Sequence, residues 1–183
     1  MVRHGCERGA RLGGVGRVVV GGAIVAGLCA WGRAVGPGDP LFAAVAGFTL
    51  LGLLDLARYF VRFRPLLGAP RSWEARGRVY RLLGVRAFGA GLRRPPLRWF
   101  NPRVYRGAAG DSRMLAAALE EAEGSHTLAF VAVTLYTGLA AWQGWWPAAL
   151  ALLALNVGAN VYPILHLRHC RARLLLAAAR RRR

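Results

Sequence analysis

Apolar residues in this chain are gathered into long runs rather than recurring every third or fourth position, and those runs set the elements it predicts. The first, Val18 to Gly32, is bracketed by Arg17 and Arg33, whose stems can carry their charged heads to two interfaces and lengthen a short transmembrane helix. Gly36-Pro37-Gly38-Asp39-Pro40 cannot propagate a helix and marks a tight turn. Leu41 to Val61 follows, interrupted by Asp55 and Arg58, which stand three residues apart on one helix face and can pair near a membrane end. Thr127 to Trp142 and Ala148 to Leu167 form a third and a fourth run, joined by the aromatic turn Gln143-Gly144-Trp145-Trp146-Pro147.

The stretch from Arg62 to His126 is different in kind: thirteen Arg, five acids, Pro95-Pro96, interleaved aromatics and no run long enough to span. Ser72-Trp73-Glu74 offers a helix start before Val79 to Leu83, Gly84 a stop, and Ser112 a cap for a helix carrying Met114 to Glu123. The pattern predicts an all-α, polytopic membrane protein with four transmembrane helices and an amphipathic, Arg-rich segment between the second and third. Its parts are an N-terminal membrane hairpin (1–63), an interfacial segment (64–126), a C-terminal membrane hairpin (127–167) and a basic tail (168–183). A version in which the Leu41 run only dips into the interface fits as well, because that run carries charge.

Composition changes the picture in one respect. Of 183 residues, 55% are apolar, yet 26 are basic, all of them Arg, against 8 acids, for a formal charge of +18. The Arg residues flank the apolar runs instead of decorating a soluble fold, which excludes a nucleic-acid partner and points to anionic membrane lipids. By the positive-inside rule, the central segment, the tail and both termini are expected on the cytoplasmic face of a cell (inner) membrane. The basic front, with Arg3, Arg8 and Arg11, also resembles a secretory leader, but no small-x-small cleavage site follows the first run. Cys6, Cys29 and Cys170 are too scattered for a disulfide framework.

Three polar features meet where the central segment joins the second hairpin. If the helix of residues 112 to 121 continues into the third run, Glu123 and His126 stand one turn apart, so the carboxylate can orient an imidazole that takes a proton from a hydroxyl. An ion pair at the membrane boundary is the plainer reading. Asn156 and Asn160, four residues apart, suit either a hydrogen bond across the hairpin or a substrate contact, and Pro163 is expected to bend the helix beside them. His166, Arg168, His169, Cys170, Arg171 and Arg173 lie at the exit: the arginines suit phosphate oxygens, while no second ligand cluster completes a metal site, so none is expected. There is no phosphate-binding Gly-rich loop in a strand-helix context, no Ser nucleophile elbow, no carboxylate pair suited to glycoside chemistry and no His-x4-Asp signature.

The order Trp73-Glu74-Ala75-Arg76-Gly77, Tyr80 to Arg86, Ala122-Glu123-x-x-His126, Asn160-Val161-Tyr162-Pro163-Ile164, then Arg168, Arg171 and Arg173-Leu174, resembles the glycosyl-4,4'-diaponeurosporenoate acyltransferase family over about residues 70 to 175. Each motif is short, and their joint order carries the resemblance. It implies an acyltransferase esterifying a sugar hydroxyl of a glycosylated carotenoid, the closing step of staphyloxanthin-type pigment synthesis, with an acyl thioester such as acyl-CoA as co-substrate and no other cofactor. It further implies His126 and Glu123 as catalytic residues, and Glu74, Asn160, Arg168, Arg171 and Arg173 as substrate-binding residues. Leu167-Arg168-His169-Cys170-Arg171 departs from the family's usual Gln-Arg-Tyr-Asn-Arg, losing two amides and a phenol, which leaves a related glycolipid open as acceptor. A different class of reading is a scaffold without turnover that binds anionic lipid or docks a pigment-synthesis enzyme; under it, Arg168→Lys is harmless.

Overall fold

The computed structural model describes residues 14–57, 67–94 and 112–181, all helices and short turns. In order they are α1 (Gly14–Val35), α2 (Pro40–Ala57), α3 (Ser72–Arg76), α4 (Arg78–Leu82), α5 (Val85–Leu92), α6 (Ser112–Trp142), α7 (Trp146–Asn156), a π-turn (Val157–Val161) and α8 (Tyr162–Arg181). Arg58 and Pro95-Pro96, with the side chains of Asp55 and Ser112, lie outside the described residues, as do the N-terminal arginines and Cys6.

Three stretches are long and apolar enough to cross a membrane: Gly14–Val35, Met114–Trp142 and Trp146–Arg180. The predicted second span is a shorter apolar helix, Pro40–Leu54. Val18, Val19, Leu135, Leu139, Leu150 and Leu153 all face outward, a lipid-facing surface that a water-soluble protein would not carry.

The first predicted turn is held by Asp39, whose Oδ1 accepts from the Phe42 backbone N–H at 2.8 Å while Pro40 opens α2, where a missing N–H costs nothing. The Tyr136 hydroxyl donates to the Pro37 carbonyl at 3.0 Å, tying this turn to α6. The bundle of α2, α6 and α7 closes on Ala43, Val133, Ala140, Ala148, Ala149 and Leu152. Where lipid tails are as apolar as the side chains, small residues of this kind let helices approach and gain dispersion contacts. α1 buries no side chain and, among the described residues, leans mainly on α2, with Trp31 edge-on to Phe42 at 5.5 Å.

Two helices run straight through the domain limits expected from sequence. α6 is continuous across residue 126, so the condition that brings Glu123 and His126 within one turn is met, and α8 continues past residue 167 into the tail. The helix expected from Ser72 is divided at Gly77 (φ +69°), and Gly84 (φ +70°) ends its second half. The bend expected at Pro163 takes the form of the π-turn just before it. Proline offers no N–H and its ring crowds the carbonyl four residues back, and a widened turn relieves both.

A buried ion-pair cluster and an amide relay at the membrane edge

Glu74 belongs to α3, a helix of five residues that could not persist alone. One carboxylate oxygen reaches back to the Arg71 N–H at 2.6 Å, half of a capping box that starts the helix. The same group anchors α3 to α8: the Arg168 guanidinium donates from Nε at 3.0 Å and from Nη2 at 3.2 Å. The Tyr80 hydroxyl adds a bond at 3.2 Å, and His169 Nδ1 donates to the Glu74 carbonyl at 3.0 Å. Gly77 permits this closeness, since a Cβ there would sit 2.7 Å from His169 Cε1.

Arg168 has a second carboxylate. Its Nη1 donates to Glu123 on α6 at 2.9 Å, and the other oxygen of Glu123 accepts from Arg171 Nη1. Arg171 Nη2 in turn holds Glu120 at 2.8 Å. Glu74, Glu123, Arg168 and Arg171 are all buried, with Glu123 fully so. Five charges thus interlock three elements, each guanidinium bridging two carboxylates, the fork geometry that arginine provides and lysine does not.

Burial pushes the Glu74 carboxyl up, but the bonds from Arg168 and the Arg71 backbone, the Arg168 charge and the Tyr80 hydroxyl outweigh it and leave its pKa below the usual 4.5. Burial first, then the charge and hydrogen bond of Glu74, push the Tyr80 phenol up to about 12.

One turn along α6 from Glu123, His126 Nδ1 faces Asn160 Oδ1 at 3.5 Å. The Asn160 amide donates to Asn156 Oδ1 at 2.7 Å, and the Asn156 amide donates to Thr134 Oγ1 at 2.9 Å and to the Phe130 carbonyl at 3.2 Å. Asn156 therefore makes the predicted link across the hairpin, and Asn160 passes it on to His126.

The structure gives each of the residues named from the sequence a definite set of neighbours. Glu123 was expected to orient His126, but both its oxygens are engaged by arginines, and the amide of Asn160 faces the imidazole. Arg168 and Arg171 were expected to receive phosphates, yet both are turned inward onto carboxylates; of the named arginines, Arg173 is the exposed one. Glu74, expected to bind substrate, forms the clasp between α3 and α8. The partners lie 45 to 94 positions apart, so no local motif announces them. Tyr80 and His169 stood in the sequence motifs without an assigned role, and Glu120 was not singled out. A signal for Glu120 was present: Glu120 and Glu123 stand one turn apart on α6, as Arg168 and Arg171 do on α8.

His166 and His169 do not converge on a common centre: His166 lies against Phe88 and 3.8 Å from Cys170 Sγ, while His169 packs on Tyr80. Among the described residues no group of three or more His, Cys, Asp or Glu side chains is arranged to hold a metal.

About twenty helical residues cover the roughly 30 Å of a bilayer's hydrocarbon core. Counted back from the aromatic turn at Trp142, such a span ends near Glu123; counted forward from Trp146, it ends near His166. The ion-pair cluster and His126 thus lie at one edge of the apolar layer. A helical, multi-pass membrane protein with a charged, hydrogen-bonded centre at a lipid boundary is the class these features define. Residues 63–180 match the family model of glycosyl-4,4'-diaponeurosporenoate acyltransferase, and the chain belongs to that family. It is an acyltransferase of carotenoid biosynthesis, and every residue from Glu74 to Arg171 discussed above lies within the matched range, whereas α1 and α2 lie outside it. No curated protein and no solved structure matches the chain significantly.

Proposed function

We propose that the chain transfers a fatty acyl group from an acyl thioester such as acyl-CoA to a sugar hydroxyl of a glycosylated carotenoid at the cytoplasmic edge of the cell membrane. The observation that carries this reading is the position of His126, on a membrane-spanning helix at the lipid boundary, its ring addressed by a buried amide. His126 accepts the hydroxyl proton as the oxygen attacks the thioester carbonyl, and returns that proton to the departing thiolate. Both partners suit this depth, since an acyl chain and a polyene lie in the apolar layer while a sugar and a carrier stay in the headgroup region. The 3.5 Å separation from Asn160 is long, as catalytic contacts commonly are before substrate binds.

The carboxylates and arginines have a different part. Glu74, Glu123, Arg168 and Arg171 fix α3, α6 and α8 to one another, which holds His126 in place. The exposed Arg173, with Arg180, is left to meet donor phosphates or anionic headgroups. α2 is the remaining crossing, giving four spans with both termini on the cytoplasmic side.

The test uses the full chain in lipid nanodiscs with a glycosylated carotenoid and a labelled acyl thioester. His126→Ala is expected to lower transfer by roughly a hundredfold to ten-thousandfold, the contribution of a positioned base. Near-normal transfer by that variant at equal protein would overturn the assignment.

A further inference from the structure

We infer that Asn156, acting through Asn160, decides which nitrogen of His126 carries hydrogen: Nδ1 is the N–H, and Nε2 holds the lone pair that takes the acceptor's proton. The inference rests on the reading of His126 as the base and names Asn156 as a positioning residue for it.

Each link in the relay is forced by the one before, and the first link can be neither turned over nor titrated. The Phe130 carbonyl only accepts, so the Asn156 atom 3.2 Å away is its NH2 group. Thr134 agrees independently: its hydroxyl hydrogen points at the same carbonyl, 2.7 Å away, so its Oγ1 meets Asn156 with a lone pair at 2.9 Å. With the Asn156 NH2 so placed, its Oδ1 faces Asn160, which must answer with its own NH2 at 2.7 Å. The Asn160 Oδ1 is then what His126 Nδ1 meets, and an amide oxygen accepts only. Hydrogen-bond direction thus passes from a backbone carbonyl of α6, through two amides on the α7 side, back to an imidazole on α6.

Burial keeps the relay single-valued. Asn160 is fully buried and Asn156 is 3% exposed, so water is not available to pair with a reversed amide, and a reversal would set two acceptors against each other. The consequence is chemical. An imidazole protonated on Nδ1 can take the sugar proton at Nε2, becoming doubly protonated as the carbon–oxygen bond forms. Loss of that same proton to the leaving thiolate restores the starting ring. The other tautomer would present an N–H to the acceptor and could not begin.

Nitrogen NMR of the full chain in lipid bilayers, labelled at histidine and recorded at a pH where the spectra themselves show the ring neutral, reads this directly. The His126 signals are identified by their absence in His126→Ala. The unaltered chain is expected to show hydrogen on Nδ1 alone. Asn156→Ala, which frees the Asn160 amide to turn over, is expected to show both tautomers and to lose about tenfold or more in kcat with KM little changed. Hydrogen on Nε2 in the unaltered chain would overturn the inference, as would an unchanged tautomer in both Asn156→Ala and Asn160→Ala. The unaltered chain alone can deliver the first of these results, so the inference stays exposed to test even if a variant fails to fold. The base reading is tested separately, by whether His126→Ala keeps transfer activity.

Discussion

At the scale of single residues, the centre of the molecule is a carboxylate that would be ruinous if left alone. Glu74 is 4% exposed, and its burial is offset only because Arg168, Arg71 and Tyr80 together satisfy it. Removing one partner of a buried pair leaves the other uncompensated, so Glu74→Ala is expected to destabilise the fold by about 3–5 kcal/mol. Arg168→Lys is expected to be costly too, because one ammonium cannot hold Glu74 and Glu123 together, and each charged hydrogen bond lost costs about 1.5–3 kcal/mol. Denaturant titration in detergent measures both. An unaffected Arg168→Lys would return the cluster to the bland ionic role that the scaffold reading gives it. Gly77→Ala tests the neighbouring contact. A left-handed backbone and a Cβ 2.7 Å from the His169 ring are expected to cost about 1–3 kcal/mol, visible as a lower midpoint in the same titration.

At the scale of elements, α3 is too short to fold by itself and is fastened to α8 chiefly through the ionised form of Glu74. The carboxyl's pKa is lowered in the folded chain, so the clasp contributes its full stability above the ordinary 4.5. That contribution is lost as pH falls through this value and on to the folded-state pKa. Trp73 is stacked on Tyr80 at 6.3 Å between ring centroids, so its fluorescence, isolated by subtracting Trp73→Phe, reports the event. A transition at or below pH 4.5 that disappears in Glu74→Gln is expected; an identical transition in that variant would separate the clasp from the docking of α3.

The same scale shows what a reader of the sequence could see. Long apolar runs announce α1, α6 and α7 because lipid demands nearly unbroken hydrophobicity, and Gly36 to Pro40 announces its turn because proline and glycine act locally. The Glu123–His126 spacing and the Asn156–Asn160 spacing are legible for the same reason, since one helical turn relates each pair. What those side chains hold is not legible. Glu123 sits as near to His126 in sequence as any carboxylate can usefully be, yet it is claimed by Arg168 and Arg171 from a helix more than forty positions away. Charge attracts across space rather than along the chain, and two arginines on α8 bond to both oxygens of a carboxylate on α6. The π-turn is equally hidden: Pro163 signals a disturbance, but whether the helix kinks or widens depends on the packing around it.

At the scale of the whole molecule, the polar centre and the apolar bundle divide the work. Ala43, Val133, Ala140 and Leu152 pack the membrane layer, while Glu74, Glu123, Arg168 and Arg171 fasten the helices at its edge. The match over residues 63–180 covers the polar centre and the α6 and α7 part of the bundle and leaves α1 and α2 beyond it. α1 buries nothing of itself, which suits a helix held mainly by lipid and by its neighbour α2.

The central claim, acyl transfer at His126 in the membrane, is tested most directly by mass spectrometry of lipid extracts. The host is a bacterium that makes a glycosylated carotenoid without acylating it, expressing either the unaltered chain or His126→Ala to equal membrane levels. The account predicts a new pigment species, heavier by one fatty acyl group, with the unaltered chain and its near absence with the variant. Equal amounts of that ester from both, or none from the unaltered chain when supplied with acceptor and acyl donor, would contradict it.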